Sequence, residues 1–256
     1  MKKTWPRLAS MAALLLCALP ATACRMTMAL EQWPPSVYRE AHGGYAGLDL
    51  ELLRAIFKEA RCTLVTLPEL PAARRLLLFR EGRLDLMVAA SDTPERQAYA
   101  RFTVSYRDEI VGLFQQPGHA VSPPATSFAQ VLRGKQTLLA PRVGWYGDAY
   151  AAAMPALEQR GRLNLFAGIE QGVRMLDAGR ADLLLGDTLA VRHAARQQGV
   201  ALAALPFTVL RAPVHLMLNP RTTSPADLAR LDGAITRLRQ QGVLAAIRAR
   251  HERGGD

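Results

Sequence analysis

Little in this chain invites covalent or metal chemistry. Its 256 residues hold three cysteines and five histidines. The histidines (His42, His119, His193, His215 and His251) stand alone, without the short spacings to one another or to cysteine that zinc sites use. No nucleophile elbow and no phosphate-cradling glycine loop is present. No metal and no cofactor is therefore implied. Aromatic residues make up only 6%, and the formal charge of +10 comes mostly from arginine scattered along the chain, with no lysine-rich block. A nucleic-acid partner is not expected from that pattern; an acidic or zwitterionic ligand, or an anionic envelope surface, suits it better. There is no repeat, no coiled coil and no low-complexity segment.

The first residues are the exception to an otherwise mixed chain. Lys2, Lys3 and Arg7 precede an apolar stretch from Leu8 to Leu19, followed by Pro20-Ala21-Thr22-Ala23. A charged start, an apolar run too short to span a bilayer and a small-x-small site read as a signal peptide, residues 1–23, cut after Ala23. Removing 23 of 256 residues leaves 233, and removing three basic residues from +10 leaves +7. Nothing later is long and apolar enough for a membrane helix, so the expectation is an exported, periplasmic protein of one large domain or two lobes. Cys17 leaves with the leader. Cys24 and Cys62 then each begin an expected strand, Arg25–Leu30 and Thr63–Leu67, with one helix between them. Parallel neighbours in a βαβ unit bring their first residues together, so a disulfide is open to this pair in an oxidising compartment. The rival is lipidation of Cys24 as the new N-terminus. Ala21 stands where such signals usually carry leucine, and lipidation would leave Cys62 unpaired, which favours the disulfide.

Beyond the leader, short strands alternate with amphipathic helices, the pattern of an α/β protein. Leu48, Leu52, Ile56 and Phe57 recur at helical spacing over Leu48–Ala60. Ala72–Arg80 reads as a helix, Leu84–Ala89 as a strand, and Pro94 opens a helix running to about Ala100. Later come helices near Phe128–Leu132, from about Tyr146, over Gly172–Ala178 and over Thr188–Gln197. Strands are expected at Gln136–Ala140 and Leu183–Leu185, with an extended stretch over Pro206–Leu218. Ser224-Pro225-Ala226-Asp227 starts the last helical pair, broken at Gly242. Gln115–Thr126, rich in Pro, Gly and Ser, reads as a surface connection.

The octet Ala89-Ala90-Ser91-Asp92-Thr93-Pro94-Glu95-Arg96 carries the most chemistry. Thr93 reads as an N-cap and Pro94 as the first helical residue. Free N–H groups, the Ser91 hydroxyl and Arg96 one turn in would together suit a carboxylate. The plain alternative is a strand-to-helix loop with a solvated arginine.

Four segments in order, Gly47-Leu48-Asp49-Leu50-Glu51-Leu52-Leu53, Gly82-Arg83-Leu84-Asp85-Leu86, Ser91-Asp92-Thr93-Pro94-Glu95-Arg96 and Gly179-Arg180-Ala181-Asp182-Leu183-Leu184-Leu185-Gly186-Asp187, give the chain a resemblance to a known family. It resembles the periplasmic solute-binding proteins of the polar amino-acid type, family 3, the receptors of ABC importers, from Arg25 to about Ile247. The resemblance implies a two-lobed α/β fold of type II, closing like a hinge about two crossing strands, near Tyr106–Ile110 and Thr208–Arg211. Lobe 1 would be 24–107 plus 211–256 and lobe 2 108–210. It also implies that Arg96 and Ser91 hold a ligand carboxylate, that Asp187 meets its ammonium, and that Trp33 packs on its side chain. Tyr38, Arg74 and Glu31 are weaker candidates for the side-chain pocket. Asp187 reads equally as the N-cap of the helix from Thr188, and Trp33 as a buried anchor beside two prolines. A small-molecule ligand, an ABC permease as partner and a monomer follow from the same resemblance.

Two departures from the family pattern concern the ligand. Ala72 stands where relatives often carry an aromatic. Val143-Gly144-Trp145-Tyr146-Gly147 stands where they place Ser or Thr beside glycine, so Gly144 can offer only backbone and Trp145 a large indole. Two other functions fit the same scaffold. One is a lyase resembling cyclohexadienyl dehydratase, with Glu31, Glu170 or Asp187 as acid. The other is a solute sensor without a transporter.

Overall fold

The computed structural model describes residues 24–119 and 125–253. The signal-peptide reading of residues 1–23 and the middle of the Gln115–Thr126 connection lie outside them. The chain begins β1 (Arg25–Ala29), a small hairpin β2 (Tyr38–Arg39) and β3 (Tyr45–Ala46), α1 (Leu48–Glu59), β4 (Thr63–Leu67), α2 (Ala72–Arg80), β5 (Leu86–Ala90), α3 (Pro94–Gln97) and β6 (Arg101–Phe102). A nine-residue strand, β7 (Arg107–Gln115), then leads into α4 (Phe128–Arg133), β8 (Leu138–Pro141), α5 (Asp148–Gln159), β9 (Leu163–Phe166), α6 (Ile169–Asp177), β10 (Leu183–Asp187), α7 (Thr188–Gln198) and β11 (Ala203–Ala204). A second nine-residue strand, β12 (Leu210–Leu218), returns to α8 (Pro225–Gln240) and α9 (Val243–Arg253).

The architecture is the two-lobed α/β fold expected from the sequence. β7 and β12 pair antiparallel from Leu210↔Val111 to Val214↔Arg107, and they join two halves of one curled sheet in the order β5-β12-β7-β10-β8-β9. Helices cover both faces of each half, and strand alternation decides which side chain goes to which layer. Leu183 and Leu185 pack with Phe128, Tyr150 and Leu157 of α4 and α5, whereas Leu184 between them packs with Val173 and Val191 of α6 and α7. In the other half, Met26, Met28, Leu86 and Leu216 meet α1, α8 and α9, while Ala29, Ala90 and Met217 meet Leu78 and Phe79 of α2. Each fully buried side chain of this kind contributes about 1.5–3 kcal/mol. Among the described residues no helix is long and apolar enough to cross a membrane.

Cys24 and Cys62 form a disulfide. β1 and β4 run parallel with Arg25 opposite Thr63, which places the two preceding cysteines side by side. Several local signals act as their chemistry dictates. Ser224 and Asp227 form a reciprocal capping box, and Ser127 caps α4.

Some expected bounds shift. α3 stops at Gln97 instead of reaching Ala100, because the chain turns at Ala98 to pair Arg101–Phe102 with β12. α5 starts at Asp148 instead of Tyr146, since Gly147 takes a positive φ of 96° as its cap. α6 begins at Ile169, three residues before Gly172, and β8 begins at Leu138 instead of Gln136. β9 had no counterpart in the sequence reading.

Candidate functional site

Where β5 ends, the two halves of the sheet leave a cavity of about 200 Å³ between them. That is below the range of drug-sized pockets and suits a small metabolite. Three local structures bring its first wall together. Gly47 lets α1 start hard against the preceding loop: a Cβ there would stand 2.4 Å from the Ser36 carbonyl oxygen, at a φ of 124°. Leu48 and Asp49 N–H donate to Pro35 and Ser36 carbonyls, so the first turn of α1 delivers Asp49 to the cavity. Ala89, at the end of β5, holds a φ of 50°, a left-handed conformation that costs a non-glycine residue on the order of 1 kcal/mol or more. Its N–H donates to the Tyr106 hydroxyl at 3.0 Å. After it, Thr93 accepts from the Arg96 N–H, and the Arg96 Nη1 donates to the Ser91 carbonyl at 3.0 Å, which orients the guanidinium.

The cavity is rich in charge, and most of that charge is already paired. Arg107 grips Asp49 with two bonds, Nε to Oδ1 at 2.6 Å and Nη2 to Oδ2 at 2.7 Å, and the Tyr106 hydroxyl donates to Oδ1 at 2.9 Å. Burial would lower the Arg107 pKa, but the Asp49 charge and hydrogen bonds, with Tyr106 and Asp187 behind them, together outweigh it and hold the guanidinium well above its ordinary value. Burial, reinforced by Asp49, pushes the Tyr106 hydroxyl well up. Arg75 donates through Nη2 to Glu31 Oε2, with both side chains largely buried. Burial raises the Glu31 pKa, and Arg75 offsets this only in part.

Two charges in the cavity have no such ionic partner among the described residues: Arg96, and Glu109 on β7. Burial, with a further push from Asp187, raises Glu109 to about 7, and Arg107 counters only part of it. The second wall is Val143-Gly144-Trp145-Tyr146. Gly144 has a φ of 128°, and a Cβ there would meet the Tyr146 ring at 2.7 Å. Tyr146 is itself buried against Tyr150, edge to face with ring centres 6.3 Å apart.

The structure places Arg96, Ser91, Trp33, Trp145 and Gly144 around this cavity, with Glu31 and Ala72 beside them. It does not bring Asp187, Tyr38 or Arg74 to the lining. Asp187 is buried at the end of β10, where its carboxylate accepts from the Ala190 N–H at 2.8 Å and caps α7. Burial raises its pKa, and Arg107 and that N–H offset only part of the rise. The Tyr38 ring lies 6.5 Å from His193 on α7, outside the cavity. Arg74 is exposed on α2, and its neighbour Arg75 faces inward. The sequence reading missed Arg75, Arg107 and Glu109. Two of them carried a signal. Arg107 and Glu109 share the strand parity of Val111 and Leu113, whose side chains are fully buried, so charge on that face has to meet a cleft or a partner. Glu170, at the first turn of α6, is not among the lining residues. His215 is engaged with the Thr103 carbonyl and His251 with Glu51. Among the described residues no group of three or more His, Cys, Asp or Glu could hold a metal ion.

Residues 26–253 match the family described as bacterial extracellular solute-binding proteins, family 3. Among curated proteins none matches the chain in sequence. Three similar solved structures span its breadth. A histidine kinase sensor domain with similarity to periplasmic binding proteins is 19% identical with a TM-score of 0.73, covering 90% of this chain and 95% of that one. An ABC uptake transporter substrate-binding protein from Streptococcus pneumoniae, with bound histidine, is 19% identical with a TM-score of 0.71, covering 87% and 90%. The ancestral amino-acid-binding protein AncCDT-1, a precursor of cyclohexadienyl dehydratase, is 16% identical with a TM-score of 0.70, covering 89% and 94%. At such identities the likeness is one of fold.

Proposed function

Because the chain belongs to the bacterial extracellular solute-binding proteins, family 3, we propose that its cavity captures a small amino-acid-like zwitterion between the lobes. The observation that carries this reading is the pair of uncommitted charges. With Asp49–Arg107 and Glu31–Arg75 closed on themselves, Arg96 and Glu109 remain, one of each sign. Arg96 and Ser91 take the ligand carboxylate, the guanidinium offering paired donors. The ammonium meets Glu109, with Asp187 behind it adding negative potential. Trp33 and Trp145 pack on the remainder of the ligand, and Gly144 offers backbone. Lobe 1 is residues 24–107 plus 211–256 and lobe 2 residues 108–210. A ligand that bridges them favours the closed form, because both sets of contacts are complete only there. The protein works in the periplasm after loss of residues 1–23, as a monomer that delivers its ligand to an ABC permease. With the Cys24 sulfur committed to Cys62, no sulfur is left there for a lipid anchor.

The test is a thermal-shift screen of unfolded and refolded protein, freed of any carried ligand, against amino acids, polyamines, dicarboxylates and prephenate. A ligand at 100 times its dissociation constant adds about 2.7 kcal/mol, roughly 5–10 °C for a chain of this size. Arg96→Ala should then weaken binding by about 2–5 kcal/mol, since it strands a ligand carboxylate in the cleft. Equal affinity in that variant removes the assignment.

Glu109 lining the cavity without an ionic partner among the described residues also suits a second reading, catalysis in the same cleft: a general acid works best with a pKa near the operating pH, and burial pushes Glu109 up to about 7. Turnover of prephenate or arogenate that is lost in Glu109→Gln would establish it.

A further inference from the structure

Two non-glycine residues among the described ones hold a positive φ: Arg61, in the turn between α1 and β4, and Ala89 at the cavity. Strain of this kind persists only where the surrounding structure holds it, and it gathers at functional sites. At Ala89 the strand pairing shows what the strain accomplishes. β12 sets Met217 opposite Met87 and His215 opposite Ala90, so two steps along β12 answer three along β5. The extra residue makes a β-bulge. A bulge that uses the left-handed conformation ordinarily has glycine there; here it has alanine, at a φ of 50°.

The bulge reverses the faces of the strand. Leu86 and Val88 point into the core beneath α1, and Met87 points to the cluster around Phe79. Unbroken alternation would send Ala90 the way of Leu86 and Val88, yet Ala90 joins the Phe79 cluster. Ser91, the next residue, is turned with it, and the Ser91 carbonyl in turn holds Arg96 Nη1. Alanine disfavours a left-handed conformation by a factor of roughly five to thirty. Tyr106 supplies the hold. Its hydroxyl accepts from the Ala89 N–H at 3.0 Å and donates to Asp49 Oδ1 at 2.9 Å. Its own N–H donates to the Val214 carbonyl at 3.1 Å, where β7 and β12 begin to pair. Tyr106 is 3% exposed and is not among the residues that line the cavity.

We infer that Tyr106 is a positioning residue for ligand capture: through Ala89 it keeps the β5 bulge formed, and so sets Ser91 and Arg96 for a carboxylate before the ligand arrives. This rests on the zwitterion reading, which supplies the carboxylate.

Tyr106→Phe removes one oxygen and leaves Asp49 both of its bonds to Arg107. Titration calorimetry of the refolded variants against the twenty standard amino acids, which share their α-groups, tests the inference. Each amino acid that binds the parent should bind Tyr106→Phe at least fivefold more weakly, by a similar factor whatever its side chain. Ala89→Gly is the rescue, because glycine enters the left-handed region without penalty. Added to Ala89→Gly, Tyr106→Phe should cost less than twofold. A tyrosine with a merely structural role would cost the same factor in both backgrounds, and that additivity overturns the inference. Ala89→Gly should also raise the denaturation midpoint of the ligand-free protein. A lower midpoint means that Ala89 carries no strain, and it overturns the inference even if Tyr106→Phe does not fold. Binding that depends on Arg96 and is indifferent to Tyr106 overturns this inference alone. Failure of every amino acid to bind overturns the zwitterion reading with it.

Discussion

The cavity wall built from residues 31–96 and the one built from residues 143–146 face the same small space with different materials. The first wall contains Glu31, Asp49, Arg75 and Arg96, three of them already ion-paired before any ligand arrives, with Asp49 only 1% exposed. The second has no charged side chain, and Val143 at its rim is 64% exposed. Charges that are fixed in advance do not have to be ordered on binding, which is where affinity is most easily lost. In the proposed binding mode the first wall therefore discriminates among ligands. The second wall would cover them, and by excluding water it would strengthen each electrostatic contact opposite.

That contrast can be broken from either side, and the first wall should break harder. Asp49→Asn leaves Arg107 charged, buried and without its counter-ion, so denaturant unfolding should show a loss of about 3–5 kcal/mol. A loss under 1 kcal/mol would mean that the pair is effectively solvated. Replacing Cys24 and Cys62 by serine frees a loop of sequence separation 38; chain entropy puts the cost at roughly 4 kcal/mol. The loss should fall on the half of the molecule that contains β1, with the core around Leu183–Leu185 protected as before in hydrogen exchange.

Glu109 lies between the walls and should show itself through pH. Its folded pKa of about 7 stands above the ordinary 4.5, so the folded state keeps the proton longer than the unfolded one. Its contribution to stability is complete below about pH 4.5 and is lost as pH rises through 7, up to about 3 kcal/mol in all. Glu109→Gln should flatten that slope. An ammonium ligand favours the ionised carboxylate, so binding at pH 6.5 should release protons, measurable as a buffer-dependent enthalpy. The smallest effect belongs to the second wall: Trp145→Ala should weaken every ligand by about 1 kcal/mol without changing their order. A changed order would give that wall a share in selection.

The sequence made most of the scaffold legible because its signals were local. Thr63–Leu67 and Ala72–Arg80 begin and end where strand and helix patterning put them. The site was only half legible, and the misses have physical causes. Arg74 and Arg75 are adjacent, yet a helix turns about 100° between them, so only the phase set by Leu78 and Phe79 tells which one faces in. Asp187 satisfied two descriptions at once in the sequence, and in the fold its carboxylate serves the helix N-terminus. Glu109 was missed although a crossing strand was expected near Tyr106–Ile110, because along the chain it is one of several charges in Arg107-Asp108-Glu109 and only the burial of Val111 and Leu113 tells which of them faces in. β9 was missed for a related reason. Leu163-Asn164-Leu165-Phe166 is short and mostly half-buried, and its pairing partner β8 lies more than twenty residues upstream.

The sheet order has a consequence for how the molecule is made. β12 lies between β5 and β7, and the core around Met26 and Leu53 is completed by Leu231, Ile235 and Ile247, which are synthesised last. The clusters around Leu183–Leu185 draw only on residues 111–210, one uninterrupted stretch. Closing the first set of contacts means joining segments nearly the whole chain apart, which is slow and entropically costly, whereas the second needs no such wait. The half that begins the chain is thus the last to fold. A chain cut after β12 should yield the middle of the molecule as a compact unit, trailing a first half whose core lacks the cover of Leu231, Ile235 and Ile247.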